Sequence, residues 1–577
     1  MTRVSTSPRQ RRFHRVVFLL GLLALLIRLT YLFETADIPF LKQPVGDAAR
    51  YLEWAQGIAA GDWLGKEPFY QAPLYPYLLG ALFVVTGPSV WGVRLLQVII
   101  GSLSVCLLAV GTSRLFGRKT GIVAGAILCF YPPIIFFDGL IQKASLDGFL
   151  VSLLFFLLAA EVRRFKVPSV KPWRFLTVGV VCGLLCLTRE NALVWVPLLA
   201  GWIFFRKPRF RYSYRLAALS SYLLGISLVL CPVALRNHCV GGEWSLSTFQ
   251  AGPNFYIGNH VGASGRYEPL VRGHETPEFE RADATRLAEQ AMGYSLTAKQ
   301  VSQYWSGRAI AFIQAYPVDW IRLMAHKFIM TWNRYEVSDV ESMAVYEEYS
   351  LLFRWLRPLL HFGVICPLAA MGIGLTWAAR SRLWIYWAMI LMLACSVALF
   401  FVLARYRIAL VPLLIPFASV ALARLYRWYK AGRIESLKTG FVVAALAAIA
   451  TNVPVQNERR LNATSYTNFG VAVGENGDLK RAEHYFLRAL HDFPQSVEAH
   501  FNFGYLLLLQ ERFDEAGKHF ETALRYQPDL IHADYLLAQC LEKTGDRSGA
   551  IQHYRRAIEL DPTQIEALEK LEKLIGP

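Results

Sequence analysis

The chain has 577 residues and a formal net charge of +17, with 54% hydrophobic, 14% aromatic and 18% charged residues. This apolar content exceeds that of soluble domains, and the apolar runs are long enough to cross a bilayer. The Lys and Arg residues cluster in short segments between these runs, where they orient membrane helices, so we exclude nucleic-acid binding. The composition therefore predicts a polytopic membrane protein of the all-α class.

The amino terminus is predicted to stay attached as the first membrane span. The basic segment 1–15 precedes an apolar run, 16–33, that is too long for a signal-peptide core and lacks an Ala-x-Ala cleavage site. With segment 1–15 cytoplasmic, every cytoplasmic connection is basic, as the positive-inside rule requires. The predicted spans, about 11 in number, are 16–33, 91–115, 120–137, 140–161, 174–188, 191–205, 216–235, 359–379, 383–403, 408–425 and 438–452.

One apolar run does not fit this threading. Segment 73–87 has only about 15 residues, which is short for a span, and counting it would place the later basic connections outside. We therefore predict a short re-entrant or interfacial helix at this position. The membrane domain then extends over 16–452, with outer loops at 34–90 and 236–358.

The C-terminal segment repeats with a period of 34 residues, which is the period of tetratricopeptide repeats. In such repeats small residues lie where paired helices touch, an aromatic residue fills the gap, and Pro ends the second helix. We predict helix pairs at 463–496, 497–530 and 531–564 and a capping helix at 565–577, together forming an α-solenoid over 463–577. A bound partner protein is expected there; self-association or stabilisation of the rest of the chain is the alternative. The repeated positions are Gly470, Gly504 and Ala538; Ala482, Ala516 and Ala550; Phe486, Phe520 and Tyr554; Ala489, Ala523 and Ala557; and Pro494, Pro528 and Pro562.

Asp47 is a carboxylate in the first outer loop, on the membrane side opposite the basic N-terminus. It begins a stretch in which apolar residues such as Tyr51 and Ala55 recur at helical spacing, which indicates a helix lying on the membrane surface. Asp at a helix start is often an N-cap, so capping and a reactive role are both open, and the two can coexist.

Further ionisable residues lie near the outer ends of the spans. Asp138 follows the third span, and Lys143 and Asp147 are four residues apart in the fourth. An intrahelical Lys143–Asp147 pair is a structural alternative to a functional role at membrane depth. Arg189 and Arg405 lie at later outer boundaries, where Arg can reach the interface without consequence or hold a phosphate through its planar guanidinium.

The motifs along the chain are Asp47, Tyr51, Ala55 and Gly61, then Pro73-Leu74-Tyr75-Pro76, Arg94, Pro132-Pro133, Asp138, Arg405-Tyr406-Arg407 and Pro412. Taken together, they resemble the family 39 membrane glycosyltransferases of the GT-C superfamily, which include protein O-mannosyltransferases and the lipid A aminoarabinose transferase. The resemblance covers roughly residues 10 to 425. It implies a GT-C type bundle, a polyprenyl-phosphate sugar donor and transfer with inversion.

The resemblance also implies roles for individual residues. A carboxylate of the first loop would act as general base, because a hydroxyl acceptor is a poor nucleophile until its proton is taken. Cations would stabilise the departing lipid phosphate. The site residues expected on this basis are catalytic Asp47 and Asp138; donor-phosphate-binding Arg405, Arg189 and Lys143; and the substrate-loop residues Tyr51, Tyr75 and Asn259.

One position departs from the family pattern. Members that resemble the aminoarabinose transferase have a Lys-Pro-Pro segment whose Lys contacts the lipid phosphate, whereas this chain has Gln71-Ala72-Pro73. A neutral Gln cannot supply that charge, so another cation must. Some GT-C relatives use a divalent cation held by acidic residues; Asp47 and Asp138 could hold one, but two carboxylates are a weak pattern, and we assign no metal site.

We therefore predict a glycosyltransferase that moves a hexose or pentose from a polyprenyl-phosphate donor to a hydroxyl of a protein Ser or Thr, or of an envelope glycolipid or glycan. We expect a multi-pass protein surrounded by membrane lipids in a bacterial inner membrane, with a cytoplasmic N-terminus and extracytoplasmic repeats. One alternative is a transporter or non-enzymatic scaffold that uses the repeats for assembly. Another is a lipid-linked glycan polymerase or ligase, with key residues in the large outer loop: Arg236, His238, His260, Arg266 and His274.

Overall fold

The computed structural model describes residues 7–163, 171–205, 211–271, 274, 277–339 and 341–576. Residues 1–6 of the expected basic tail, and 164–170 and 206–210 in two expected cytoplasmic connections, lie outside the described residues. Within the described ranges all regular structure is helical, so the predicted all-α class is confirmed. Two compact units are formed: a membrane unit (1–36, 44–337 and 350–455) and a repeat unit (37–43, 338–349 and 456–577).

The membrane unit contains seven described helices that are long and apolar enough to cross a bilayer. An eighth span is formed if the bent pair Arg118–Cys129 and Pro132–Gly139, which meet at 52°, is counted as one. The bend lies at Pro132-Pro133, where proline cannot donate the backbone hydrogen bond that continues a helix. The seven long spans are Pro8–Glu34, Val90–Phe116, Ala144–Arg163, Tyr212–Gly241, Trp377–Leu399, Ala404–Lys430 and Ile434–Asn452.

Four shorter apolar helices complete the membrane-embedded part: Leu74–Thr86, Arg174–Cys186, Glu190–Phe204 and Phe362–Leu375. Three of them occupy segments predicted as spans, so about 11 apolar segments are helical, but only seven or eight meet the length of a full crossing. The fourth, Leu74–Thr86, is the short helix predicted at 73–87. The chain is a multi-pass membrane protein.

Smaller helices of the membrane unit lie in the two predicted outer loops and bring the site residues together. The first follows the first span, and the others belong to the long segment between Tyr212–Gly241 and Phe362–Leu375. They are Asp47–Ala59, Ala251–Gly258, Pro277–Met292, Ala298–Ala315, Pro317–Trp332 and Leu351–Leu356.

The repeat unit consists of three antiparallel helix pairs and a final helix. In its first repeat, a Cβ added to Gly470 would meet the Phe486 ring at 2.8 Å, and one added to Gly504 would meet Phe520 at 3.0 Å in the second. The small residues therefore permit close helix contact around the aromatic rings, and the predicted tetratricopeptide architecture is confirmed. The helices are Glu458–Glu475, Leu479–Asp492, Val497–Leu509, Phe513–Tyr526, Ile531–Thr544, Arg547–Leu560 and Ile565–Ile575, accompanied by the short helices Pro39–Lys42 and Met343–Tyr349.

Candidate active site

Asp47 is the first residue of helix Asp47–Ala59, but its carboxylate does not cap that helix. The N-cap is Gly46, whose φ of 58° suits glycine, and no side-chain cap is formed there. The capping interpretation is therefore wrong. The Asp47 carboxylate instead accepts hydrogen bonds from the Arg405 guanidinium at 2.5 Å and from the Gln71 amide at 3.0 Å. Asp47 and Arg405 are each 16% exposed, so this ion pair lies at the edge of a partly open site.

The position of Asp47 is fixed by the packing of its helix on helix Leu74–Thr86. A Cβ added to Gly80 would meet the Ile58 side chain at 2.6 Å, so the absence of a side chain at Gly80 permits this close contact. The Tyr51 and Tyr75 rings pack edge to face with centroids 5.2 Å apart. Both tyrosines are almost fully buried, and the Tyr75 hydroxyl donates to Gln97. These two expected substrate-loop residues thus contribute support beneath the site.

Electrostatics keep Asp47 ionised despite its position. Burial raises the pKa of Asp47, but the Arg405 charge and hydrogen bond outweigh it, with help from Lys143 and Gln71, so the pKa is lowered overall. An ionised carboxylate with a low pKa can accept a proton only in a reaction that generates a strong acid at that point. A developing oxonium on an attacking hydroxyl is such an acid.

Arg189 does not contact Asp47. Its guanidinium pairs with buried Asp147, with Nε at 2.9 Å from the carboxylate, and donates to the Arg405 backbone carbonyl at 2.9 Å. It also lies over the Tyr406 ring, 5.2 Å from the centroid. Arg189 therefore links the buried carboxylate to the chain segment that carries Arg405.

Lys143 lies just before helix Ala144–Arg163, and its carbonyl accepts the Asp147 backbone N–H at 2.9 Å. The proposed Lys143–Asp147 pair is replaced by the Arg189–Asp147 pair. In the described part of the chain the Lys143 ammonium forms no hydrogen bond or ion pair, although it lies near enough to Asp47, Glu190 and Asp147 to feel their charges. Among the three expected phosphate-binding cations, Lys143 is thus the one whose charged group is not already engaged.

Asp138 is not part of this cluster. It is 1% exposed and forms an ion pair with Arg28 at 2.7 Å, and Ser145 donates to it at 2.7 Å. A Cβ added to Gly101 would collide with this carboxylate at 2.1 Å, so glycine is needed on the facing helix. The carboxylate links three helical segments of the bundle. We propose that Asp138 is structural.

Asn259 is also fully buried. Its amide donates to the carbonyls of Phe255 and Leu399, and its oxygen accepts from Trp320 and Lys327. All of its hydrogen-bonding groups have partners within the protein, so it supports the backbone around it.

A second carboxylate near Asp47 was missed by sequence reasoning. Glu280, in helix Pro277–Met292, accepts a hydrogen bond from Gln250 at 2.6 Å. Burial raises the pKa of Glu280 to about 7, and the negative charge of Asp47 contributes, while Arg405 and Arg50 oppose the rise. Nothing in its Ala-, Glu- and Arg-rich helix distinguishes this Glu from its exposed neighbours.

A polar cavity of about 610 Å³ lies along helices Asp47–Ala59 and Pro277–Met292. Three arginines and three glutamates line it, so it presents many hydrogen-bond donors and acceptors with little net charge. The lining residues are Arg50, Glu53, Glu67, Arg281, Ala282, Thr285, Arg286 and Glu289.

The two carboxylates considered for a divalent cation, Asp47 and Asp138, are each paired with a different arginine. Among the residues the structure describes, no group of three or more His, Cys, Asp or Glu side chains is placed to hold a metal ion. These residues therefore do not fit a metal site.

The five residues of the polymerase or ligase alternative lie in separate environments. Arg236 donates to the carbonyls of Leu64 and Glu67, and His238 stacks on Trp244. The remaining described contacts are equally dispersed: His260 contacts the Val261 carbonyl, His274 pairs with Asp283, and Arg266 donates its backbone N–H to Ser264. None of these contacts includes Asp47.

Parts of the chain match known protein families. Residues 69–234 match the protein-family profile described as dolichyl-phosphate-mannose-protein mannosyltransferase. Residues 467–531 and 507–574 match two tetratricopeptide-repeat profiles. The first match agrees, over residues 69–234, with the resemblance seen in the sequence, and the other two agree with the predicted repeats.

Individual proteins show more distant similarity. The tetratricopeptide repeat-containing protein trd-1 of Caenorhabditis elegans is 31% identical over 96 residues, which is 16% of this chain and 12% of that protein. The oligosaccharyltransferase AglB from Archaeoglobus fulgidus, solved with an inhibitory peptide and a dolichol-phosphate, is 13% identical with a TM-score of 0.46, over 83% of this chain and 60% of that one. ArnT from Cupriavidus metallidurans, solved with undecaprenyl phosphate, is 15% identical with a TM-score of 0.40, over 93% and 79%. The chain thus spans less than two thirds of the length of trd-1 and of AglB.

Proposed function

We propose that this protein transfers a sugar from a polyprenyl-phosphate donor to an acceptor hydroxyl on the extracytoplasmic side of a bacterial inner membrane, with inversion. The observation that carries the proposal is the partly exposed Asp47 carboxylate, ionised and oriented by Arg405 and Gln71, with the Lys143 ammonium nearby. A base and a phosphate-binding cation are the two groups that this reaction requires. The family match at residues 69–234 supports the same chemistry.

The transfer is a single displacement. The acceptor oxygen forms a bond to the anomeric carbon while the bond from that carbon to the donor phosphate oxygen breaks, and the electron pair leaves with the lipid phosphate. The acceptor proton passes to Asp47. Attack from the face opposite the phosphate inverts the anomeric configuration.

The departing lipid phosphate gains negative charge as the glycosidic bond breaks, and we assign its stabilisation first to Lys143. Arg405 is paired with Asp47, and Arg189 with Asp147, so neither guanidinium meets a phosphate without sharing or exchanging its carboxylate. The Lys143 ammonium needs no such exchange. Lys143 also supplies the positive charge that Gln71 lacks, so this assignment accounts for the departure from the Lys-Pro-Pro pattern.

The polar cavity along helices Asp47–Ala59 and Pro277–Met292 suits a carbohydrate. Sugars present many hydroxyls and no large apolar surface, and the cavity offers carboxylates and guanidinium groups that hydrogen-bond to hydroxyls. We assign it to the transferred sugar or to the acceptor.

The repeat unit has its own groove, of about 820 Å³, lined by aromatic and polar side chains that include Phe501, Asn502, Tyr505, His532 and Tyr535. We propose that it holds an extended segment of an acceptor or partner protein, since tetratricopeptide repeats present concave surfaces of this kind.

The decisive experiment measures sugar release from a labelled polyprenyl-phosphate donor by purified Asp47→Asn protein. The amide keeps the shape of the side chain but cannot take the proton, so we expect turnover to fall by about 10²- to 10⁴-fold. Asp62→Asn, in the same loop but exposed, is the matched control and should behave like wild type. Full activity of Asp47→Asn would refute the proposed mechanism.

The side of the membrane is tested separately with a topology reporter fused after Asn452. We expect an extracytoplasmic signal. A cytosolic signal would mean that the number of crossings before Asn452 is wrong and that the repeats face the cytoplasm.

A further inference from the structure

The short loop before Arg405, residues 400–404, is not helical except for its last residue. It interrupts the path between helices Arg380–Leu399 and Ala404–Arg407, and its backbone groups need partners outside those helices. The long outer segment supplies them. Val402 N–H donates to the Gly265 carbonyl at 2.9 Å, and Ala404 N–H to the Val337 carbonyl at 2.8 Å.

Lys327 fixes the beginning of this loop. Its side chain is completely buried, and its ammonium donates to the Phe400 carbonyl at 2.9 Å, the Gly258 carbonyl at 2.8 Å and the Asn259 side-chain oxygen at 3.1 Å. The three donors of a lysine ammonium thus meet three acceptors, and none of the described carboxylates pairs with it. Burial lowers the pKa of Lys327 to about 7.

A buried lysine without a counterion is costly, so its presence needs a reason beyond packing. An apolar side chain would fill the same volume without that cost. The two backbone segments that Lys327 joins also lie close together: a Cβ added to Gly258 would meet the Phe400 carbonyl oxygen at 2.0 Å. Only glycine lets the two backbones approach closely enough for one ammonium to join them.

Arg407 fixes the other side of the same loop. It is 1% exposed and donates to the carbonyls of Asn333 at 2.6 Å and Tyr335 at 2.8 Å, and it pairs with the Glu336 carboxylate at 2.5 Å. Residues on both sides of Arg405 are therefore held by one outer segment, residues 327–337.

We propose that Lys327 is a positioning residue for Arg405: by holding the Phe400 carbonyl it fixes the loop from which the Arg405 guanidinium reaches Asp47. Direct contact between Lys327 and substrate is excluded by its complete burial. The proposal rests on the proposed function for the roles of Arg405 and Asp47, but the geometry that it predicts can be measured without any substrate.

The test follows the protonation of Asp47 in the purified full-length protein. Carbodiimide labels protonated carboxyl groups, so the extent of Asp47 labelling, read by mass spectrometry from pH 3 to 8, gives its titration midpoint. The charged groups that act on Asp47 are Arg405, Lys143 and Glu280, besides its hydrogen bond from Gln71. Because Arg405 lowers the pKa of Asp47, displacing Arg405 should raise the midpoint by about 1–3 pH units.

We expect Lys327→Met to raise the midpoint toward that of Arg405→Met, which defines the full effect. Lys327→Gln retains two N–H donors and should give a value between wild type and Lys327→Met. Lys299→Met removes an exposed lysine of the neighbouring helix Ala298–Ala315 and should leave the wild-type midpoint. The graded rescue by Gln distinguishes positioning from a simple packing role.

The proposal is overturned if Lys327→Met and Lys327→Gln remain monodisperse and keep the wild-type midpoint while Arg405→Met shifts it. Aggregation of both Lys327 variants alongside soluble Arg405→Met would also overturn it, because Lys327 would then serve the stability of the whole unit. An unaltered transfer rate in Asp47→Asn would refute the proposed function and leave this labelling result standing.

Discussion

The repeat unit and the membrane unit are both helical, but they bring their important residues together over very different distances along the chain. In the repeat unit the Gly470–Phe486 and Gly504–Phe520 contacts each lie within one repeat. In the membrane unit the central ion pair joins Asp47 and Arg405, which are 358 residues apart. The contacts of the repeat unit can therefore be predicted from local periodicity. The Asp47–Arg405 pair of the membrane unit depends on long-range packing, which no local pattern predicts.

After Asp47→Asn, the largest expected effect comes from removing the cation that we assign to the lipid phosphate in the membrane unit. Lys143→Met removes the ammonium that is not engaged within the described protein, so we expect turnover with labelled polyprenyl-phosphate sugar to fall by about 10²- to 10³-fold. Lys66→Met, an exposed lysine of the first outer loop, is the control. Equal rates for the two variants would show that Arg405 or Arg189, and not Lys143, binds the phosphate.

Asp47 and Asp138 were both expected to be catalytic, and a stability measurement separates their roles. Asp138→Asn leaves the buried Arg28 guanidinium without its counterion, so we expect a loss of about 3–5 kcal/mol in the free energy of unfolding. Asp319→Asn, which breaks an exposed pair with Arg322, should cost about 0–1 kcal/mol. Denaturant titration of the protein in detergent measures both. A stable but inactive Asp138→Asn protein would restore its catalytic assignment.

The third prediction concerns the independence of the repeat unit. Phe520→Ala empties the space between paired helices, and we expect the repeat unit to lose about 3–5 kcal/mol of stability while sugar release from the donor is unchanged. Leu509→Ala, at a 55% exposed side chain, is the control. Loss of donor turnover together with repeat stability would show that the two units do not act separately.

The smallest expected effect is the pH dependence contributed by Glu280. Its pKa is 4.5 in the unfolded chain and about 7 in the fold, so between these pH values the folded protein holds the extra proton. Its stabilising contribution is therefore complete below pH 4.5 and is lost as the pH rises through 7. We expect Glu280→Gln to flatten the thermal stability between pH 4.5 and 7.5, and the exposed Glu53→Gln to leave the slope unchanged.

The sequence predicted best those features that depend on residues close together in the chain. The repeat period, the apolar segments and the basic connections predict the helical architecture, because each depends on neighbouring residues alone. Asp47 could be singled out because it follows the first span and matches the family resemblance. The helix-capping role that the sequence also allowed was wrong, because Gly46 is the N-cap and the Asp47 carboxylate accepts hydrogen bonds from Arg405 and Gln71 instead.

Partners were harder to predict than residues. The Lys143–Asp147 spacing favours an ion pair, but the Asp147 carboxylate pairs instead with Arg189, which is 42 residues away along the chain. Asn259 occurs in a Gly- and Asn-rich turn that resembles a substrate loop, yet the fold uses all of its hydrogen bonds internally. The buried position of Lys327 could not be predicted, because a lysine in an amphipathic helix is expected on the exposed face.

The Asp47–Arg405 ion pair has a consequence for how the protein is made. Chains are synthesised from the N-terminus, so Asp47 reaches its side of the membrane long before Arg405 is translated. Until then the carboxylate lacks the guanidinium that lowers its pKa. A truncated or stalled chain consequently cannot assemble the reactive centre, and competence arises only after nearly every membrane segment has been inserted.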